Sequence, residues 1–368
     1  MASIVSQQEQ AGTDSGEVTS RAAFRSNGAV DPKLTVPSGL RLHSLTGVQI
    51  LATGAYAPAN EVRNEDLAEH GYDADWIVQR TGIRARRRAT RDEATSDMAV
   101  AAATRCLEQA QVARDDVDLL IVATMTPDSP APSTACLVQQ RLGLRCAAFD
   151  LNAACAGFMY GLATGMQFIK TGASRRALVI GADLMSRTVN PVDSKTFPLF
   201  GDGAGAVLLG PGKSEQGLLA YTLGADGGGA DLLCIPGGGS REPLTPVSLD
   251  AGRQFLRMDG RAVFKWAVRM VADSIVDVLR AAELAPNELD LVVLHQANVR
   301  IIESAMSDLG IDREKVLVNL DRYGNTSAGS MPLVLDEAHR AGRIRNGDHI
   351  LMCGFGAGLA WGAAVMRW

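Results

Sequence analysis

The sequence predicts an α/β protein built from two duplicated halves, and three observations support this class. Short apolar runs alternate with helical patterns from Gly47 onward, as repeated βαβ units require. Two apolar segments recur 172 residues further along the chain. Similar sequences occur at Asp118-Leu-Leu-Ile-Val and Asp290-Leu-Val-Val-Leu, and again at Leu178-Val-Ile and Ile350-Leu-Met. The composition, 46% hydrophobic with 38 glycines, is typical of a packed α/β core.

The same patterns divide the chain into three parts. Residues 1–44 are rich in Ser, Gln, Gly, Glu and Arg and lack apolar periodicity, which predicts a flexible N-terminal extension. We expect the first half at 45–215 and the second at 216–368. The predicted strands cover 48–52, 119–123, 177–180, 206–209, 291–294 and 350–352. The main predicted helices cover 96–111, 155–171 and 261–282.

Composition and charge exclude several classes of function. A net charge of −5 and a pI near 5.6 argue against a nucleic-acid partner, which needs clustered Lys and Arg. No apolar run reaches the roughly 18 residues that span a bilayer, and no secretory signal is readable, so we expect a cytoplasmic protein without membrane contact. The six cysteines lack paired spacing, which predicts neither disulfides nor a metal site.

Cys155 is the candidate nucleophile. It lies in Ala-Ala-Cys-Ala-Gly at the predicted start of a helix, where unpaired N–H groups and the helix dipole lower a thiol pKa and make an exposed cysteine nucleophilic. Its small neighbours let a substrate approach closely. The alternative is a buried cysteine that only packs against the helix, which is the commoner fate of this residue.

Four further segments contain polar or glycine-rich residues that could form part of a site. His295 directly follows a predicted strand, at the edge where α/β folds place their sites, although a core histidine is an equal alternative. Asn325 lies in Gly-Asn-Thr-Ser, which alone would be an ordinary turn and helix cap. The terminal Cys353-Gly-Phe-Gly-Ala-Gly turn could direct N–H groups at an oxyanion. Phe200-Gly-Asp-Gly-Ala-Gly precedes a strand and is therefore not a dinucleotide-binding loop.

Over residues 47–368 these segments together resemble the β-ketoacyl-acyl-carrier-protein synthase III family, the initiating condensing enzymes of fatty-acid synthesis. Six motifs match in the family's order: the stretch from Trp76 to Arg84, the Cys155 helix, Phe-Gly-Asp-Gly-Ala-Gly, His-Gln-Ala-Asn, Gly-Asn-Thr-Ser and the terminal glycine turn. The resemblance implies a thiolase-like fold whose duplicated halves pack as a layered α/β/α/β/α core.

The resemblance also implies the reaction and the residues that perform it. Cys155 would take an acyl primer from coenzyme A, and His295 with Asn325 would bind the thioester carbonyl of malonyl-acyl-carrier-protein for a decarboxylative Claisen condensation. No separate cofactor is implied, and the protein would be a homodimer. The implied contacts are the Cys155, Gly356 and Ala357 backbone for the oxyanion, Trp76, Arg80, Thr81 and Asn298 for coenzyme A, Ala131 and Phe355 for the primer, and Lys265 and Arg300 for the carrier protein.

The chain departs from the family pattern at three places. Ser194 and Lys195 stand where an arginine is usual, and Ser307-Asp308 replaces a basic pair. Ala131 stands where a bulky phenylalanine usually lines the primer pocket, so a wider pocket is expected.

Several alternative functions remain open from the sequence. They are a degradative thiolase, which would use Cys353 but would need a histidine in place of Asn325, and a specialised starter-unit enzyme or acyltransferase of polyketide or quinolone type. A cysteine hydrolase and a non-catalytic scaffold that binds carrier protein are further alternatives.

Overall fold

The computed structural model describes residues 41–368. The strands in this range are β1 His43–Thr46, β2 Val48–Tyr56, β3 Glu61–Arg63, β4 Ala85–Arg87, β5 Leu119–Ala123, β6 Ala147–Leu151, β7 Ala177–Leu184, β8 Asp202–Pro211, β9 Gly217–Ala225, β10 Leu233–Cys234, β11 Arg257–Met258, β12 Leu291–Leu294, β13 Val316–Leu317, β14 His349–Gly356 and β15 Ala360–Arg367. The α-helices are α1 Ala74–Thr81, α2 Thr95–Ala110, α3 Thr134–Leu142, α4 Gly157–Lys170, α5 Pro246–Asp250, α6 Gly260–Ala281, α7 Val299–Leu309, α8 Leu320–Tyr323 and α9 Ser330–Arg340.

Two mixed sheets confirm the duplication. The first has the order β2-β8-β7-β5-β6, and the second has the order β1-β9-β15-β14-β12-β13. In the first, β5 runs parallel to β6 and β7, and Leu119 faces Ala177. In the second, β12 runs parallel to β13 and β14, and Leu291 faces Ile350. The structure therefore makes Ile350 the equivalent of Ala177, so β7 and β14 are offset by 173 residues. The sequence pattern had predicted an offset of 172.

The layers follow from which elements each helix touches. Helices α4 and α9 contact strands of both sheets, so they form the central layer. Helices α2 and α3 cover the outer face of the first sheet, and α6 covers the second with α7 packed against it. One buried cluster joins both sheets to α4 and α9, and another joins the first sheet to α2 and α3. The predicted α/β/α/β/α core is confirmed.

Two glycines explain how α9 and the turn before it approach the first sheet so closely. A Cβ on Gly181 in β7 would lie 2.2 Å from the carbonyl oxygen of Ala328. A Cβ on Gly205 in β8 would lie 2.6 Å from the carbonyl carbon of Pro332. Both distances are far below contact, so a side chain at either strand position would push the central helix outward.

The start of the described chain differs from the expected division. Strand β1 begins at His43, so the predicted boundary at residue 44 falls inside a strand, while residues 1–40 lie outside the described residues. β1 pairs antiparallel with β9 in the second sheet, whereas β2, after the left-handed Gly47, belongs to the first. The segment between 41 and 56 therefore contributes one strand to each half.

Residues 41–368 contain neither a membrane-spanning helix nor a cluster of metal-ligating side chains. None of the helices in this range is both long and apolar enough to cross a bilayer. Nor does this range contain a group of three or more His, Cys, Asp or Glu side chains arranged to hold a metal ion.

Candidate active site

Cys155 lies in a tight 3-10 turn, Ala154–Ala156, between β6 and α4. Ala154 has a φ of +46°, and its N–H donates to the side-chain oxygen of Asn152 at 3.0 Å. This non-glycine left-handed residue turns the chain sharply from the end of β6, so the cysteine precedes the first residue of α4, Gly157, by two positions.

The environment of the thiol differs from the prediction. Cys155 is only 6% exposed, and burial raises the pKa of its thiol to about 12. The hydroxyl of Ser327 donates to the sulfur at 3.3 Å and opposes this rise, whereas the buried carboxyl of Asp183 adds to it. The expectation of an exposed thiol with a lowered pKa was wrong, because desolvation outweighs the helix start.

His295 lies where the sequence placed it, directly after β12. Its ring is buried, which lowers the pKa of its imidazole to about 3, so it is neutral at physiological pH. Nδ1 lies 2.7 Å from Oγ of Ser330, and the ring meets Phe355 edge to face at 5.2 Å between centroids. Its backbone N–H donates to the carbonyl of Cys353 in β14 at 2.8 Å. The ring is thus fixed by both neighbouring elements.

Asn325 is 5% exposed, and its Oδ1 accepts the backbone N–H of Ser327 at 2.9 Å. Its Nδ2 has no hydrogen-bond partner among residues 41–368, so it remains available as a donor. Ser327 therefore joins two of the predicted catalytic residues, since its N–H binds Asn325 and its hydroxyl binds Cys155. The sequence indicates Ser327 only as part of a turn, and its polarity beside Asn325 is the only signal for this role.

The Phe-Gly-Asp-Gly motif holds the Asn325 loop in place. The N–H of Asn325 donates to the carbonyl of Leu199 at 2.8 Å, and the N–H of Gly201 donates to the carbonyl of Asn325 at 3.0 Å. A Cβ on Gly201 would lie 2.2 Å from the carbonyl oxygen of Tyr323, so only glycine permits this pairing. The motif is therefore a structural support of the site.

The predicted oxyanion segment does reach the nucleophile. A Cβ on Gly356 would lie 2.8 Å from both N and Cβ of Cys155, so the two backbones are in direct contact. Gly356 is the last residue of β14, and Ala357 begins the turn to β15. Cys353, the residue a thiolase would use, is fully buried within β14, and burial raises the pKa of its thiol to about 12.

A largely apolar cavity of about 570 Å³ begins beside the nucleophile. Neither predicted primer-pocket residue lines it in this chain: Ala131 is on the exposed surface, and Phe355 is buried against the His295 ring. Of the residues that do, the sequence predicted only Ala357 as a site residue, because the others come from separate turns, β10 and α4 and share no pattern. Its walls include Met125, Asn152, Ala153, Ala154, Tyr160, Leu233, Cys234, Ile235, Leu256 and Ala357.

Two of the predicted coenzyme A contacts are exposed on α1. Trp76 is 44% exposed, and the guanidinium of Arg80 lies over its ring at 5.5 Å from the centroid. Asn298 caps α7 by accepting the N–H of Arg300, and its Nδ2 donates to the carbonyl of Arg80 at 3.1 Å. Asn298 thus ties the end of α1 to the start of α7.

The third predicted contact on α1 is not accessible. Thr81 is 4% exposed, and its hydroxyl donates to the carbonyl of Ile77 at 2.6 Å and accepts the N–H of Ile83 at 3.0 Å. With its hydroxyl committed to the backbone, Thr81 supports the end of α1 instead of presenting a ligand contact. Its place in the motif did not reveal this burial.

The predicted carrier-protein contacts lie close together. Lys265 is exposed on α6, and the guanidinium of Arg300, from α7, lies 5.7 Å from the ring centroid of the adjacent Phe264. Arg261 and Arg269, one helical turn on either side of Lys265, are also exposed. These residues form a basic surface, although the net charge of the chain is −5.

Comparison with known proteins identifies the family. The family described as 3-oxoacyl-[acyl-carrier-protein] synthase III matches residues 149–227, and its C-terminal part matches 279–368. The β-ketoacyl-[acyl-carrier-protein] synthase III of Rhodopirellula baltica is 57% identical over 343 residues, which cover 88% of this chain and 99% of that protein.

Solved structures give the same result. The 3-oxoacyl-[acyl-carrier-protein] synthase III of Aquifex aeolicus is 42% identical with a TM-score of 0.80, covering 88% of this chain and 100% of that chain. The priming β-ketosynthase of the R1128 polyketide pathway is 35% identical with a TM-score of 0.81, covering 89% and 98%. With this fold, these motifs and this identity, the chain belongs to the β-ketoacyl-[acyl-carrier-protein] synthase III family of condensing acyltransferases.

Proposed function

We propose that this chain condenses an acyl-coenzyme A primer with malonyl-acyl-carrier-protein through an acyl-Cys155 intermediate, as the first condensation of fatty-acid synthesis. The observation that carries the proposal is the hydrogen-bonded link through Ser327, which joins Cys155 from the first half to Asn325 from the second. A nucleophile on one turn and an amide donor beside another turn are thereby linked through a single residue. The names of the relatives support a β-ketoacyl product carried on an acyl carrier protein.

The first half-reaction is transfer of the acyl group to sulfur. Cys155 attacks the thioester carbonyl, the bond to the coenzyme A sulfur breaks, and coenzyme A leaves with the thiol proton. The N–H groups near Gly356 and Cys155 are close enough together to stabilise the oxyanion that develops. The acyl chain would then occupy the apolar cavity that begins at Ala154.

The second half-reaction needs donors at an enolate oxygen. Loss of carbon dioxide from the malonyl group leaves the enolate, whose carbon attacks acyl-Cys155, and the released thiolate then takes up a proton. Asn325 offers Nδ2 for that oxygen. If the Ser330 hydroxyl donates to Nδ1 of His295 while accepting the N–H of Gln296 at 3.4 Å, the neutral imidazole carries its proton on Nε2 and is the second donor.

Exposed residues outside the catalytic centre would bind coenzyme A and the carrier protein. Trp76 and Arg80 present an aromatic face and a cation, which suit the adenine and phosphates of coenzyme A. Lys265 and Arg300 are basic contacts for an acidic carrier protein, and the neighbouring Arg261 widens this surface.

We also propose that the protein is a homodimer. β6 is the outer strand of the first sheet, and its Phe149 and Leu151 are only partly buried in the single chain. An edge strand has unpaired backbone N–H and C=O groups, so it can pair with a strand of another chain. A second copy would also cover the exposed loop that carries Ala131.

One observation favours a specialised starter-unit enzyme as a second candidate. A priming ketosynthase of a polyketide pathway is among the structural neighbours. A starter-unit enzyme would use the same three catalytic residues as the fatty-acid enzyme. The two candidate functions would therefore differ only in the primer that is accepted and the product that is formed. The size of the primer pocket is the feature that would separate them.

The test is a pair of assays on the wild type and on Cys155→Ala. Intact-mass measurement after incubation with acetyl-coenzyme A should give a single acyl increment that is absent from the variant. Added malonyl-acyl-carrier-protein should then yield a β-ketoacyl product with the wild type alone. Acylation of the folded variant at another cysteine would contradict the assignment of Cys155.

A further inference from the structure

We propose that Glu337 is a positioning residue for Asn325, acting through the segment that leads into it. Glu337 lies on α9, two turns beyond the end of that helix which reaches the active site. Nothing in the sequence marks it, since a glutamate on a helix is usually solvated. This inference rests on the proposed function, in which Asn325 donates to the enolate.

The carboxylate of Glu337 is saturated by donors from one short segment. Oε1 accepts from Nη1 of Arg322 at 2.9 Å and from the hydroxyl of Tyr323 at 2.8 Å. Oε2 accepts from Nη2 of Arg322 at 2.9 Å and from Nδ2 of Asn319 at 3.0 Å. A carboxylate has about four acceptor sites, so these four hydrogen bonds use its full capacity. We call this set of four residues the Glu337 clamp.

The three donors lie immediately before Asn325 in the chain. Asn319 and α8 connect β13 to Gly324, whose φ of +67° turns the backbone into Asn325. Asn325 itself is held on its other side by Leu199 and Gly201. The segment is therefore fixed at both ends, by the clamp before Asn325 and by backbone pairing at Asn325.

The clamp also reaches the histidine. The backbone N–H of Asn319 donates to Oε1 of Gln296 at 3.1 Å, and Gln296 follows His295 directly. The Gln296 amide in turn donates to the carbonyl of Leu294 at the end of β12. A shift of the Asn319 segment would thus displace both proposed enolate donors, Asn325 and His295. A bidentate arginine–carboxylate pair is the kind of contact that resists such a shift.

The predicted consequence is selective for one half-reaction. Glu337→Gln removes the charge that binds Arg322 and replaces an acceptor oxygen by a donor facing other donors. We expect kcat for malonyl decarboxylation to fall about 10- to 100-fold with little change in KM, because a small misplacement of a catalytic group is costly. Acylation of Cys155 from acetyl-coenzyme A should stay within about twofold, since the Cys155 turn is not part of the clamp.

A matched control exists on the other side of the molecule. Asp97 on α2 accepts from Arg141 at 2.7 Å and caps the backbone N–H of Ala94, and its side chain is 34% exposed, against 32% for Glu337. Asp97→Asn should leave both half-reactions unchanged. Tyr323→Phe removes a single donor from the clamp and should give a smaller loss, confined to decarboxylation. This variant still tests the clamp if Glu337→Gln fails to fold.

The experiment measures acyl loading, decarboxylation of malonyl-acyl-carrier-protein and melting temperature for these variants. A loss confined to decarboxylation in Glu337→Gln and Tyr323→Phe supports the clamp. Unchanged decarboxylation in either folded variant overturns it, as does an equal loss of both half-reactions. A wild type that loads acyl groups but does not decarboxylate malonyl-acyl-carrier-protein would contradict the proposed function itself.

Discussion

The hydroxyl of Ser327 lies 3.3 Å from the sulfur of Cys155, although the two residues are 172 positions apart in the chain. Ser327 has a φ of +51° and begins a 3-10 turn that leads into α9, just as Ala154, with a φ of +46°, begins the turn that leads into α4. The duplicated halves therefore present the same strained turn to each other. The nucleophile lies on one turn, and the residue that donates to it lies on the other.

His295→Ala and Asn325→Ala should separate the two half-reactions. Both variants should still accept an acyl group on Cys155, whereas malonyl decarboxylation should fall by about 10²- to 10³-fold, the usual cost of removing an oxyanion donor. Mass spectrometry of the acyl-enzyme and release of labelled carbon dioxide measure the two steps. If folded His295→Ala cannot be acylated, His295 acts mainly as the base for Cys155.

The burial of His295 predicts a pH dependence of stability. The pKa of its imidazole is about 3 in the folded chain and 6.5 ordinarily, so between these values the unfolded chain binds a proton that the folded chain does not. The free energy of unfolding should therefore fall as the pH drops from 6.5 towards 3. Urea titrations at pH 7 and pH 5 should give a smaller fall for His295→Asn, and an equal fall in both proteins would argue against a neutral buried ring.

Deletion of residues 1–40 should leave activity unchanged and shift the melting temperature by less than about 2 °C, because their composition predicts no contribution to a core. Deletion through Thr46 should be much more harmful. It removes β1, whose Leu45 is 3% exposed within the cluster that joins both sheets, and burial of such a side chain is worth about 1.5–3 kcal/mol. Calorimetry of the two truncated proteins checks this, and a large destabilisation by the shorter deletion would contradict it.

Ala131→Phe should narrow the choice of primer towards acetyl. By resemblance this residue reaches the primer pocket across the dimer interface, and each buried methylene is worth about 0.8 kcal/mol, so loss of room for one or two should change preference severalfold. Competition between acetyl- and longer acyl-coenzyme A gives the ratio of specificity constants. An unchanged ratio would show that Ala131 does not set the depth of the primer pocket.

The sequence predicted the residues that follow strands better than the contacts between distant turns. His295 was found because it lies beyond the carboxyl end of a strand, and Cys155 because small residues flank it at a helix start, and local patterns reveal both positions. The burial of the thiol was not predicted, since it depends on packing against Gly356, which is 201 residues further along the chain. The burial of Thr81 was not predicted for the same reason, because exposure depends on the elements that a helix end meets.

The placement of β1 has a consequence for how the chain is made. Its partner β9 begins at Gly217, so the ribosome must add about 170 further residues before β1 can pair, while β2 and its partner β8 belong to the other sheet. Contacts between such distant parts of a chain slow folding, because the intervening loop must be closed first. We therefore expect β1 to have no strand partner during synthesis until β9 has been translated. The second sheet would then be completed only late in translation.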